Sequence, residues 1–341
     1  MPRLSPNELL RLATDIVRAL GASDDDAHTV ADHLVGAHLA GHDSHGVIRL
    51  LQYQRHVQEG KIVPDAQVTV LKEGSTTALL DANCAWGQVV AKRALDVALE
   101  KAREHGTAAV AVRNAYHIGR VGVYPQSAAL EGFLAQLHCN GFGIARVAPW
   151  GGTEAKLATN PIAVAVPTKT DPIVVDITTS VVAEGKIRVA KNAGKSIPEG
   201  WVLDSSGEVT TDPARLYEGG TILPLGGREG YKGYGLSVLV DLFGGVLTGS
   251  SCGFMTENVG NGVFLQLTDP CAFLDRDEFL QGVEDYVAYL KASDTRQGAE
   301  ILLPGEPEAR TAKARADAID LDDVTWEQLS GVAKSLDVAL S

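Results

Sequence analysis

The segment His42-Asp43-Ser44-His45-Gly46 gathers imidazoles, a hydroxyl and a carboxylate in one short run, and Arg49 follows His45 by four residues. Residues four apart share a helix face, so an imidazole and a guanidinium can converge there. A planar guanidinium donates two parallel hydrogen bonds to a carboxylate, and a neighbouring His and Ser can bind the adjacent oxygen. The plainer alternative is a capped helix, with Ser44 as N-cap, His45 in the first turn and Arg49 turned to solvent. A second run, Arg113-Asn114-Ala115-Tyr116-His117-Ile118-Gly119, follows an apolar stretch that reads as a buried strand and precedes a helical pattern. Strand ends of this kind carry reactive groups in α/β sheets. Histidine alone has an unperturbed pKa near neutrality, so His117 suits taking up or giving a substrate hydroxyl proton. A hydrogen-bonded core histidine is the competing explanation.

Two further groups of residues suit phosphate or amide binding. Pro149-Trp150-Gly151-Gly152, Thr159-Asn160-Pro161 and Asp176-Ile177-Thr178-Thr179-Ser180 combine glycines, hydroxyls and amides with a helix start ahead of Lys186. Gly230-Tyr231-Lys232-Gly233-Tyr234-Gly235-Leu236 opens an apolar helix and offers Lys232 as a point charge. Singly, each is also an ordinary loop, cap or solvated lysine. A metal site at His38, His42, Asp43 and His45 meets two objections. No Glu stands as in H-E-x-x-H, and no distant Cys or His cluster supplies further ligands. No metal is expected.

These groups must be positioned by regular elements. Ser5, Pro6 and Glu8 announce a first helix with Leu9, Leu12, Ile16 and Val17 on one face, ended at Gly21. Ser23 and Asp26 open a second, stopped at Gly41. Strands are expected at 67–71, 77–81 and 107–112, apolar runs stand at 133–137, 162–166 and 173–175, and helices are expected at 88–104, from about 181 and from about 234 to 247. Asp204 to Gly207 reads as a hairpin turn, which would make the sheet mixed. Trp326, Leu329, Val332 and Leu336 mark a C-terminal amphipathic helix docking on the first domain. The order of elements implies an α/β layered core.

With 341 residues and 45% hydrophobic content, the chain exceeds what one core usually holds, so two domains are expected. A net charge of -13 argues against a nucleic-acid or anionic-membrane surface and for a small-molecule partner held by a local cationic pocket. No run is long and apolar enough for a membrane span and no signal pattern opens the chain, so a cytoplasmic location is expected. Cys84, Cys139, Cys252 and Cys271 are widely spaced and read as buried thiols in a reducing compartment.

A dinucleotide fold of the common kind should show G-x-G-x-x-G after a strand. Gly141-Phe142-Gly143 starts the pattern but Arg146 stands at its third glycine, and Gly194-Lys195-Ser196 resembles a P-loop end with Val189 at the first glycine. With 36 glycines in the chain, chance supplies such partial matches.

Taken in order, the segments around residues 42–49, 116–122, 148–152, 159–161, 176–186, 197–201, 232–236 and Leu303-Pro304-Gly305-Glu306 resemble the type-2 malate/L-lactate dehydrogenase family over nearly the whole chain. That family also includes ureidoglycolate, sulfolactate and diketogulonate enzymes and an imine reductase. The resemblance implies an NAD or NADP site on a family-specific, non-Rossmann mixed-sheet fold. It implies a helix-rich domain from residues 1–118 with 275–341, carrying substrate residues, and a cofactor domain from 119–274. His117 would be the acid/base residue, with His45 as the other candidate; Ser44, Arg49 and Thr159 would hold the substrate. Asn140, Asp176, Ile177, Thr178, Lys232, Pro304, Gly305 and Glu306 would hold the cofactor, and the chain would form a homodimer. Ala158 departs from the family's usual glycine; were positive φ needed there, it would cost stability.

The reaction implied is hydride transfer between nicotinamide and C2 of a small 2-hydroxy or 2-oxo acid. Reduction of a cyclic 2-imino carboxylate is the related alternative. A non-catalytic binding protein and a His-based metal hydrolase are alternatives from other classes.

Overall fold

The computed structural model describes residues 2–256 and 258–340. Strand β1 (Arg3–Leu4) leads into helix α1 (Pro6–Ala19). The Ser5 hydroxyl accepts the Glu8 N–H at 3.2 Å and the Glu8 carboxylate accepts the Ser5 N–H at 2.7 Å, the reciprocal cap its residues call for. Helix α2 (Asp24–Leu39) is capped by Ser23, and after a 3-10 turn at Asp43–His45 the chain enters α3 (Arg49–Gln58). Leu9, Ile16, Val30, Leu34, Leu50 and Tyr53 from these helices share one buried cluster.

The chain then lays down β2 (Thr69–Glu73), β3 (Thr77–Asp81), α4 (Gly87–His105), β4 (Thr107–Ala115), α5 (Val123–Leu130), β5 (Leu134–Phe142), β6 (Ile162–Val166) and β7 (Ile173–Ile177). Helix α6 (Glu184–Asn192) precedes β8 (Val202–Leu203), β9 (Val209–Thr210) and β10 (Thr221–Ile222), which form a small separate sheet. Next come α7 (Tyr231–Val240), a π-helical turn at Asp241–Val246, and β11 (Gly260–Thr268). Helices α8 (Arg276–Lys291) and α9 (Glu306–Ala314), strand β12 (Ile319–Asp320) and helix α10 (Asp323–Ser335) complete the chain. None of the helices among the described residues is long and apolar enough to cross a membrane.

The main sheet has seven strands in the order β2-β3-β4-β11-β5-β6-β7. The β3/β4 pair, joined through α4, is parallel and the other neighbours are antiparallel, so the sheet is mixed. Alternation sorts its faces. Ala135, Leu137 and Cys139 of β5 join the core under α4 and α5, while His138 turns to the other face and stacks on Phe243 of the π-helical turn, centroids 5.1 Å apart. Leu329 and Val332 of α10 complete the helical cluster, and β12 pairs with β1, which ties the two chain ends together.

Several expectations need correcting. Strand β11 has no counterpart in the sequence expectations, although it is the sheet's centre, antiparallel to both β4 and β5. Gly260 and Gly262 near its start have no room for a side chain: a Cβ at Gly262 would lie 1.8 Å from the Gly244 carbonyl oxygen of the π-helical turn, and one at Gly260 would lie 2.4 Å from the Ala115 carbonyl oxygen. The boundary expected at 118/119 runs through the sheet, since β2, β3 and β4 are joined by β11 to strands of the 119–274 segment. Helix α8 lacks buried residues and stays outside the helical cluster. Ala158 is not among the positive-φ positions; Asn160, at φ 41°, takes the strained conformation instead. Of the cysteines, Cys139 is buried, whereas Cys84 and Cys271 are exposed.

Candidate active site

Tyr116 belongs to the helical cluster and Ile118 to the sheet's core, so His117 sits where the two meet. The first turn of α4 comes so close that a Cβ on Gly87 would lie 2.2 Å from the Tyr116 carbonyl oxygen and 2.4 Å from that of His117. That contact holds the histidine's backbone from behind. The Tyr53 hydroxyl lies 2.8 Å from His117 Nδ1, and Gln88 Nε2 donates to the same hydroxyl at 2.6 Å. The His45 ring stacks on the His117 ring, centroids 5.5 Å apart and planes within 8°.

Arg49 opens α3 beside them. Its Nε donates to the Ser44 carbonyl at 2.7 Å, and Nη1 donates to Gln52 Oε1 at 2.8 Å. Ser44 therefore contributes its carbonyl and does not cap the helix; the cap position is Ile48. Glu184 of α6 attracts Arg49 from farther off, but its carboxylate accepts the Tyr217 hydroxyl at 2.6 Å and faces Arg188 at 4.0 Å. No carboxylate among the described residues comes within ion-pairing distance of Arg49.

Burial and this cation disfavour charge on the imidazoles. Burial first, then Arg49, His42, His33 and Arg120, press His45 down to about 3. Burial, with Arg49 and His45, holds His117 well below its ordinary value. Both rings are neutral at pH 7, and His45 Nδ1 is buried without a hydrogen-bond partner.

A clasp fixes the loop that carries His45. Arg315, just past α9, donates to the Asp43 carboxylate and the His38 carbonyl, and His38 Nδ1 lies 3.0 Å from Asp43. His42 Nε2 is 3.3 Å from Glu308 of α9. His38 and His42 are thus committed to carboxylate partners in this clasp.

From there a charged strip leads along the sheet edge. Asp176 accepts the Gly122 N–H at 2.9 Å and lies 3.5 Å from Arg120 Nε, which lacks a hydrogen-bond acceptor. Burial raises the Asp176 pKa; Arg120 and His42 oppose that rise. Pro304 accepts the Val174 N–H of β7 at 3.0 Å, and Leu303 donates to Glu306 at 2.9 Å, so the 303–306 turn lies on the same strand. Ile177 is 41% exposed and Lys232 is also exposed. The Thr178 hydroxyl donates to the Ser180 carbonyl.

Asn140 is placed differently from expectation. It is fully buried: its Nδ2 donates to the Ser251 carbonyl at 2.7 Å and its Oδ1 accepts the Gly262 N–H at 3.0 Å. The side chain staples β5 to β11 and has no surface to offer a ligand. Thr159 is tied through its carbonyl to Thr179, by bonds of 3.0 and 3.2 Å.

The structure therefore joins Ser44, His45, Arg49 and His117, and gathers Asp176 with the 304–306 turn along β7. Sequence reasoning missed Gln52, Tyr53, Gln88, Arg120 and His33. Gln52 and Tyr53 lie three and four residues after Arg49, a spacing that flags them. Gln88 and His33 reach the site only through long-range packing; His33 Nε2 accepts the Arg120 N–H at 2.8 Å.

The chain matches the model of the malate/L-lactate dehydrogenase family over residues 4–330. It is 35% identical to the L-sulfolactate dehydrogenase of Methanothermobacter thermautotrophicus, covering 99% of this chain and 98% of that one. The solved malate dehydrogenase of Pyrococcus horikoshii superposes with a TM-score of 0.90 at 32% identity, covering 99% of this chain and 96% of that one. The solved delta1-piperideine-2-carboxylate reductase of Pseudomonas syringae gives a TM-score of 0.88 at 27% identity, covering 98% and 100%. With its family model matched nearly end to end and the fold shared, this chain belongs to the malate/L-lactate dehydrogenase family.

Proposed function

We propose that the protein is a nicotinamide-dependent dehydrogenase that interconverts a small 2-hydroxy acid and its 2-oxo acid. The observation that carries this is Arg49: a largely desolvated guanidinium with no carboxylate partner among the described residues, beside two neutral imidazoles. A cation so placed is incomplete until an anion arrives. A substrate carboxylate on Arg49 sets C2 and its oxygen beside the histidines, and His117 moves the proton of that oxygen.

The residues along β7 fit a dinucleotide in part. Exposed Ile177 supplies an apolar face, Thr178 a hydroxyl and residues 304–306 an open turn, with Asp176 bonded to the Gly122 N–H beside them; exposed Lys232 of α7 is a further charge suited to a phosphate. When bound, NAD or NADP supplies the hydride acceptor or donor. Dimerisation of the chain is supported by the outward apolar side chains of α7 and the turn after it, including Leu239, Leu242 and Val246, the last 63% exposed. Light scattering is expected to give twice the chain mass, and a monomer at micromolar concentration would remove this point.

Reduction of a cyclic 2-imino carboxylate is the second reading. It is favoured by the low proton affinity of both imidazoles, because an imine that arrives protonated needs less acid catalysis. The test is nicotinamide absorbance with NADH or NADPH against pyruvate, oxaloacetate, oxoglutarate, phenylpyruvate, glyoxylate and a cyclic imino acid. Turnover of a 2-oxo acid is expected. Turnover of the imino acid alone would move the assignment to the second chemistry, and no turnover or nicotinamide binding would end both.

A further inference from the structure

Arg49 is held by more than its own helix. Gln52, which accepts from Arg49 Nη1 at 2.8 Å, donates through Nε2 to the Tyr116 hydroxyl at 3.0 Å. That hydroxyl also lies 2.6 Å from His56 Nδ1. The amide's orientation is dictated by chemistry: a guanidinium has only donors, so Gln52 must face it with oxygen and has its nitrogen left for Tyr116. Tyr116 is 2% exposed and packed in the helical cluster, so the brace ends on something rigid. With Nε spent on the Ser44 carbonyl, the guanidinium's remaining donors lie at its Nη1 and Nη2 end.

We propose that Gln52 is a positioning and specificity residue: it fixes which edge of Arg49 meets the substrate and, being uncharged, leaves the full positive charge for a carboxylate. The proposal rests on Arg49 as the carboxylate clamp. Glutamate has nearly the same shape as glutamine but carries the charge that the substrate should bring, and would pair with Arg49 in its place. A carboxylate-bearing substrate would then lose its advantage over the corresponding carboxamide. Leucine at the same position would remove the brace without adding charge.

The experiment compares KM and kcat of the full-length wild type, Gln52→Leu, Gln52→Glu and Arg49→Leu. The substrates are the 2-oxo acid that the wild type reduces best and its carboxamide, and melting curves confirm that each variant folds. Gln52→Leu is expected to raise KM for the acid about tenfold with kcat within about twofold, the effect of one hydrogen bond to a charged group. Gln52→Glu is expected to raise it about a hundredfold and to cut the preference for acid over amide by a similar factor. A folded Gln52→Glu with unchanged preference, or a Gln52→Leu that loses kcat at constant KM, overturns the proposal. If Arg49→Leu leaves KM unchanged, the clamp itself falls and the brace with it.

Discussion

Arg49→Leu is expected to lower kcat/KM for the 2-oxo acid by about three orders of magnitude, most of it through KM, while the protein stays folded. Each hydrogen bond between a guanidinium and a carboxylate is worth about 1.5–3 kcal/mol, and a clamp makes two. Their sum, about 3–6 kcal/mol, corresponds to roughly a hundredfold to more than ten-thousandfold. Stability should respond little. The native arginine gives up hydration without an ion-pair partner among the described residues, so the leucine removes that cost as it removes the bonds to Ser44 and Gln52. Arg49→Lys keeps the charge but not the fork and should fall between. Steady-state kinetics and thermal melts decide this. A folded Arg49→Leu protein that retains kcat/KM within tenfold would mean that the substrate's charge is met elsewhere.

What the sequence makes legible follows the range of the interactions. The start of α1 is readable because its cap closes within Ser5 to Glu8, and β5, β6 and β7 because their apolar runs are local. Strand β11 is different. Its alternation begins only at Val263, after Gly260, which is crowded by the Ala115 carbonyl and the Phe142 ring, and Gly262, which admits the π-helical turn, and its partners end 118 and more residues earlier in the chain, at Phe142 and Ala115. The run Val263-Phe264-Leu265 marks an apolar segment, but nothing near it announces that the strand is the central one. The continuity of the sheet across residue 118 has the same origin, because without β11 the strands before residue 118 have no visible link to those after it.

The site divides in the same way. His45, Arg49 and His117 are chemically conspicuous, and the family resemblance gives them roles. The groups that hold them are inconspicuous glutamines and tyrosines: Gln88 reaches Tyr53 across 35 positions and Gln52 reaches Tyr116 across 64. Asn140 shows the converse. The family resemblance implies a cofactor contact there, but in β5 its side-chain amide turns inward, where it satisfies backbone groups of β11 and the loop before it.

The two histidines can be told apart by what orients them, and His117→Ala is expected to cost about 10²–10⁴-fold in kcat while His45→Ala costs about tenfold. A proton carrier works best when a third group fixes its ring. His117 has that group in Tyr53, held by Gln88, whereas His45 Nδ1 has no hydrogen-bond partner and the ring is held by stacking. The pH dependence gives a second and independent reading. In the free enzyme, burial and Arg49 keep His117 neutral to well below pH 6.5, so the base that hydroxy-acid oxidation requires is present throughout pH 6.5–8. Oxidative kcat/KM should be flat across that range. Reduction needs the rare protonated form, so its kcat/KM should fall about tenfold for each unit of rising pH. The substrate carboxylate offsets part of this once bound, because its charge on Arg49 removes a force that keeps His117 neutral; kcat for reduction should therefore depend less on pH than kcat/KM. Reductive kcat/KM that is constant between pH 6.5 and 8 would show that the proton donor is already protonated across that range, and so is not a neutral imidazole. Equal losses in kcat for the two alanine variants would instead mean that the stacked pair acts as one unit, His45 holding the His117 ring in place.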